Sequence, residues 1–104
     1  MKPSEYFARN VRVGTNLHRR EVELRYEIGI GTMMWGSDFP HPEGSWPETE
    51  TRLAENFAGV PAEELAPLLG GNAAAFYGFD VERLAPLVEQ IGPSADLGLS
   101  LIHI

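Results

Sequence analysis

The sequence predicts a mixed α/β chain of two short strands followed by three or four helices. Two apolar segments that run into glycine carry the strand prediction, and helical spacing with capping residues dominates everything after Ser45. Two strands cannot cover a sheet, so the chain is either an α+β domain with an unusually small sheet or part of something larger.

In chain order, "FARNVRVG", Phe7 to Gly14, places apolar residues at Phe7, Val11 and Val13 and predicts the first strand. "GTMMWGSD" gives the second, Thr32 to Gly36, with the continuous apolar character of a strand buried on both faces. Between them Val22, Leu24, Tyr26, Ile28 and Ile30 alternate with charged or small residues, a strand-like pattern, whereas a helix has only Leu17, Leu24 and Ile28 on one stripe. Downstream, Leu53, Phe57 and Val60 mark a helical face, with Ser45 or Thr49 as its N-cap and Gly59 as its stop. "PAEELAPLLGG" begins with Pro61, sets Glu63 and Glu64 at the positive end of the helix dipole, and is expected to stop at Gly70-Gly71. Asn72 is then expected to cap "AAAFYG". A last helix follows Asp80 through Leu84, Leu87, Val88 and Ile91, with Pro86 kinking it or marking its start and Gly92-Pro93 closing it.

Fifteen acidic and eight basic side chains give a formal charge of −7, so the average surface repels a polyanion and nucleic acid is not expected as a partner. The absence of cysteine removes disulfides, iron–sulfur clusters and thiolate zinc sites, leaving nitrogen and oxygen ligands for any metal. No apolar run approaches the roughly 20 residues that cross a bilayer, and "MKPSEYFARN" lacks the apolar core of a signal peptide. The expectation is a cytoplasmic chain with no membrane partner. The proline-rich piece "FPHPEGSWPE" has the make-up of a functional loop.

"MMWGSDFPHPEGSWPET", then "GGNAAAFYGFD", then "LVEQIGP", resembles the C-terminal end of an amidohydrolase-related protein of the metal-dependent hydrolase superfamily, over about Pro3 to Pro93. The resemblance implies the C-terminal part of a (β/α)₈ barrel: strand seven, helix seven, strand eight, helix eight and C-terminal helices, with the barrel incomplete. It assigns "FARNVRVG" to strand seven and "MMWG" to strand eight. Parallel neighbours need a crossover of about a dozen residues or more, and Thr15 to Gly31 supplies seventeen, so a short helix is expected there against the local alternation.

The same resemblance implies a divalent metal ion, zinc or else manganese, and gives Asp38 two roles, metal ligand and proton acceptor. Catalytic groups of a parallel barrel stand where strands end at its C-terminal face, and Asp38 lies two residues past the apolar strand. A carboxylate there can ligate a cation and take a proton from the water that the cation acidifies. Ser-Asp before an aromatic and a proline is equally a serviceable turn. His41 is a candidate for substrate or for supporting the ligands, against a role in holding the loop backbone. Trp46 is a candidate for the pocket mouth, against a packing anchor. Arg19 is a candidate for a substrate carboxylate, against a solvated face with His18 and Arg20. Trp35, Met33 and Met34 read as interior filling, and Asn72 as structural.

The paired histidines expected after strand one and the histidines expected after strands five and six have no counterpart, so the other ligands are expected outside this chain, which alone should be inactive. The reading is a C-terminal piece of a metal-dependent hydrolase or decarboxylase for a small carboxylic or cyclic substrate, spanning residues 1–96. A homo-oligomeric parent is compatible with it. "LSLIHI", Leu99 to Ile104, follows no cap or helix signal, and residues 97–104 are expected to be non-native, leaving His103 without a role. The competing reading is a small non-catalytic α+β interaction domain.

Overall fold

The computed structural model describes residues 1–92. The expectation for residues 97–104 lies outside them. The chain begins with helix α1 (Pro3–Asn10), where proline occupies the first turn and Glu5 Oε2 accepts the Lys2 N–H at 2.8 Å. This corrects the first strand: residues 7–10 are helical, and strand β1 is confined to Val13–Thr15. The proline and the Glu5 contact start a helix that runs on through Phe7, and both Phe7 and Val11 remain exposed.

Strand β2 is Met33–Trp35, and it pairs with β1 in parallel in the register Val13 with Met33, Gly14 with Met34 and Thr15 with Trp35. Gly36 N–H donates to the Thr15 carbonyl at 3.0 Å, which extends the ladder one step. Helices α2 (Arg19–Glu23) and α3 (Arg25–Ile28) and a 3₁₀ turn (Ile30–Thr32) form the crossover, so the helical expectation for the disputed segment holds. Both faces of β2 are covered, as its apolar run requires: Met33 lies in the core and Met34 is buried on the opposite side.

After the long loop come α4 (Thr49–Asn56), α5 (Ala62–Ala66), α6 (Asn72–Tyr77) and α7 (Val81–Ile91). Neither Ser45 nor Thr49 caps α4: Thr49 is its first residue, and the two hydroxyls bond each other at 2.9 Å. Gly59, at φ +83°, turns the chain after α4 as its sequence position predicts. Gly70-Gly71 does not stop the next helix. A π-helical stretch, Pro67–Gly71, carries α5 into α6, and Asn72 has helical angles instead of capping ones. Its side-chain amide donates to the carbonyls of Ile30 at 2.7 Å and Met33 at 2.9 Å. Asn72 therefore locks the continuous helix to the start of β2. Gly78, in the left-handed region at φ +74°, ends α6, and Asp80 caps α7 by accepting the Arg83 N–H. Pro86 lies inside α7 instead of starting it.

The core gathers Leu17, Val22, Met33, Phe57, Leu65 and Leu68, with Leu53, Val60 and Trp35 packed on it. Arg25 and Glu64 clamp α3 to α5 at 2.7 Å, and Tyr26 O–H donates to the other Glu64 oxygen at 2.7 Å. Hydrogen bonds from Arg25 and Tyr26 hold the Glu64 carboxyl below the usual glutamate value. Among the described residues, no helix is long and apolar enough to cross a membrane.

Replacing Asn72 by alanine strands two carbonyls and should cost about 2 kcal/mol, read as a lower urea midpoint at unchanged slope. The Glu64 contribution should be complete above the unfolded glutamate value of about 4.3 and fade as pH falls through the lowered folded value. Glu64→Gln should remove that part of the acid dependence, and an unchanged profile would exclude the clamp.

Candidate functional site

The site follows from the register. Because β1 and β2 run parallel and end level, their C-terminal ends open onto one cleft of about 370 Å³, lined by Gly14, Thr15, Asn16, Gly36 and Asp38. Just beyond each strand the backbone enters the left-handed region at a residue other than glycine: Leu17 at φ +22° and Asp38 at φ +59°. Aspartate tolerates that conformation well, and Leu17 is held in it by complete burial in the core.

Residues 37–45 close on themselves. Ser45 N–H donates to the Ser37 carbonyl at 2.9 Å, His41 N–H to the Asp38 carbonyl at 2.8 Å, and Gly44 N–H to the His41 carbonyl at 2.9 Å. Gly44 sits buried against this ring, where a β-carbon would lie 2.7 Å from the Ser37 carbonyl oxygen and 2.9 Å from that of Asp38. Only glycine fits. The closed loop is tied to β1 by Asn16, whose Nδ2 donates to the Glu43 carbonyl at 3.1 Å. Asn16 carries no sequence motif, and its part in the cleft becomes visible only when β1 and the loop are brought together.

Asp38 presents a carboxylate that is 57% exposed, with His41 Nδ1 at 3.4 Å from Oδ2. The same nitrogen accepts the Glu43 N–H at 3.3 Å. One ring nitrogen cannot accept from Glu43 and donate to Asp38 at once, so the two contacts exclude each other. The structure thus brings Asp38 and His41 together. Trp46 is on the same loop, exposed, with its ring edge-on to Phe39 at 5.5 Å between centroids, and it does not line the cleft. Arg19 is not at the cleft either. Its Nη1 donates to the carbonyls of Glu55 and Ala58, both at 3.0 Å, and Nε pairs with Glu23, so it closes the C-terminal end of α4.

The donor set does not make a metal centre by itself. Among the described residues no group of three histidine, aspartate or glutamate side chains converges, and a tightly held catalytic cation ordinarily takes three. Asp38 and His41 supply at most part of a ligand shell.

Gly44→Ala should force the loop open, at about 1–3 kcal/mol, and strip exchange protection from the Ser45 amide. Gly36→Ala, whose β-carbon meets nothing within 4 Å, is the matched control and should be near neutral. Equal effects of the two would contradict the packed loop.

No curated protein and no solved structure matches this chain significantly. A family model described as amidohydrolase matches residues 14–79, which run from β1 through the acid loop to the residue after the left-handed Gly78. With well over half of its length so matched, the chain belongs to the amidohydrolase family of metal-dependent hydrolases.

Proposed function

We propose that residues 1–96 supply the last strand–helix units of a (β/α)₈ barrel enzyme, a metal-dependent hydrolase or decarboxylase acting on a small carboxylic or cyclic substrate. The observation that carries this reading is the place of Asp38, on the shared C-terminal rim of two level parallel strands, in one cleft with Thr15 and Asn16. That rim is where parallel barrels hold their reacting groups. Membership of the amidohydrolase family supports the hydrolase side of the reading.

In this proposal Asp38 contributes its charge to a divalent ion and accepts a proton, with further ligands from elements outside the 104 residues. The ion, when bound, supplies a polarised substrate oxygen and an acidified water. The protein's own part is positional. Asn16, Gly44 and the loop hydrogen bonds fix the backbone of Asp38, and His41 Nδ1 stands 3.4 Å from its carboxylate.

Asp38→Asn in the complete protein should lower kcat by about 10²–10⁴-fold and reduce the metal retained after dialysis. Retention of both would refute the assignment. The 104-residue chain titrated with zinc should show no sub-micromolar binding in calorimetry, since at least three protein ligands are the rule. Tight binding would place the remaining ligands within this chain.

A further inference from the structure

Gly36 is a glycine that neither the backbone nor the packing of the described residues demands. Its φ lies outside the left-handed region, and a β-carbon built there meets nothing within 4 Å. Gly44 is the opposite case, with a carbonyl oxygen 2.7 Å from where its β-carbon would be. A glycine at the end of a strand weakens it through backbone entropy, and where packing does not call for one it marks a place where something comes close to the main chain.

The direction of the missing side chain follows from strand alternation. Met33 and Trp35 face the core, so Met34 and Gly36 face the other way, as does Gly14, the partner of Met34. Gly14 and Gly36 both line the cleft, so a side chain at Gly36 would project into the space that Asn16 and Asp38 also line. The Gly36 N–H is already committed to the Thr15 carbonyl at 3.0 Å, which fixes the backbone at this point.

The rest of the lining suits a solvated or ligand-filled space and not one plugged by an apolar side chain from elsewhere in the protein. Thr15, Asn16 and Asp38 are polar, the Asp38 carboxylate is 57% exposed, and an apolar plug beside it would take that charge out of water. Asn16 spends one amide N–H on the Glu43 carbonyl and has a second to offer an occupant.

We infer that Gly36 sets the size of the substrate group admitted beside Asp38. With only hydrogen in place of a side chain, a substrate can lie against the main chain at the end of β2. The inference rests on the reading of the cleft as the substrate site of a metal-dependent enzyme, and adds to it a residue that decides which substrates fit.

Acetate and benzoate, two carboxylates of different bulk, titrated calorimetrically into the complete protein loaded with zinc, test it. Gly36→Val should weaken benzoate by about tenfold or more and leave acetate within about twofold. Gly36→Ala should fall between, and both variants should melt within about 2 °C of the wild type. Gly31→Val, at a glycine whose β-carbon also meets nothing within 4 Å but which does not line the cleft, should change neither affinity. Unchanged benzoate binding in Gly36→Val would overturn the inference, and so would a lowered melting temperature in Gly36→Ala, which would show that packing requires the glycine. Asp38→Asn separates this inference from the reading beneath it. If that variant weakens both acids while Gly36→Val weakens neither, the cleft stands as the site and the role of Gly36 alone falls. If it leaves both acids bound as before, the reading of the cleft falls and the role of Gly36 with it.

Discussion

Three residue pairs in parallel register decide where the chemistry of this chain can lie. Val13 with Met33, Gly14 with Met34 and Thr15 with Trp35 bring the two strand ends level, so the residues that follow each strand share one rim. Had the register slipped by one, Met33 and Trp35 would have left the core and Met34 would have entered it, at the cost of several buried side chains. The core therefore fixes the register, and the register fixes the distance between Asn16 and the acid loop. Asn72 enforces the same alignment from the helical side, by bonding the Ile30 and Met33 carbonyls that bracket the entry to β2.

On that base the acid loop is built with little freedom. Its backbone bonds close a ring from Ser37 to Ser45, and the one position inside the ring accepts no side chain. The outcome is an exposed carboxylate on a rigid mount. An exposed acid at the tip of a mobile loop would spend binding free energy on being ordered, whereas Asp38 is already placed. Its left-handed backbone, like that of the buried Leu17 just past β1, is the local strain that a well-packed surround sustains.

Several features were legible in the sequence for identifiable reasons. Strand β2 was visible because burial on both faces demands an unbroken apolar run, and "MMW" provides one. Leu53, Phe57 and Val60 all meet the core as their spacing predicted, but α4 ends at Asn56, so Phe57 serves as its cap and Val60 reaches the core from beyond the Gly59 turn. The crossover helices were masked, since Val22, Leu24, Tyr26, Ile28 and Ile30 alternate like a strand while Tyr26 stands 66% exposed on the surface. There the need to connect parallel neighbours outweighed local pattern. Gly70-Gly71 read as a stop, yet a π-helical stretch and the Asn72 contacts carry the helix through it. Asn16 and Arg19 show the limit most clearly: one polar side chain ties the site together and another caps a helix, and only tertiary contact tells which does which.

Asp38 is proposed to face a cavity at the C-terminal rim and to share a divalent ion with side chains from elsewhere in the protein. Anomalous diffraction at the zinc edge from crystals of the complete protein tests it most directly. A peak is expected within about 2.0–2.2 Å of an Asp38 carboxylate oxygen. A peak held wholly by other residues, with Asp38 turned out to solvent, would contradict it.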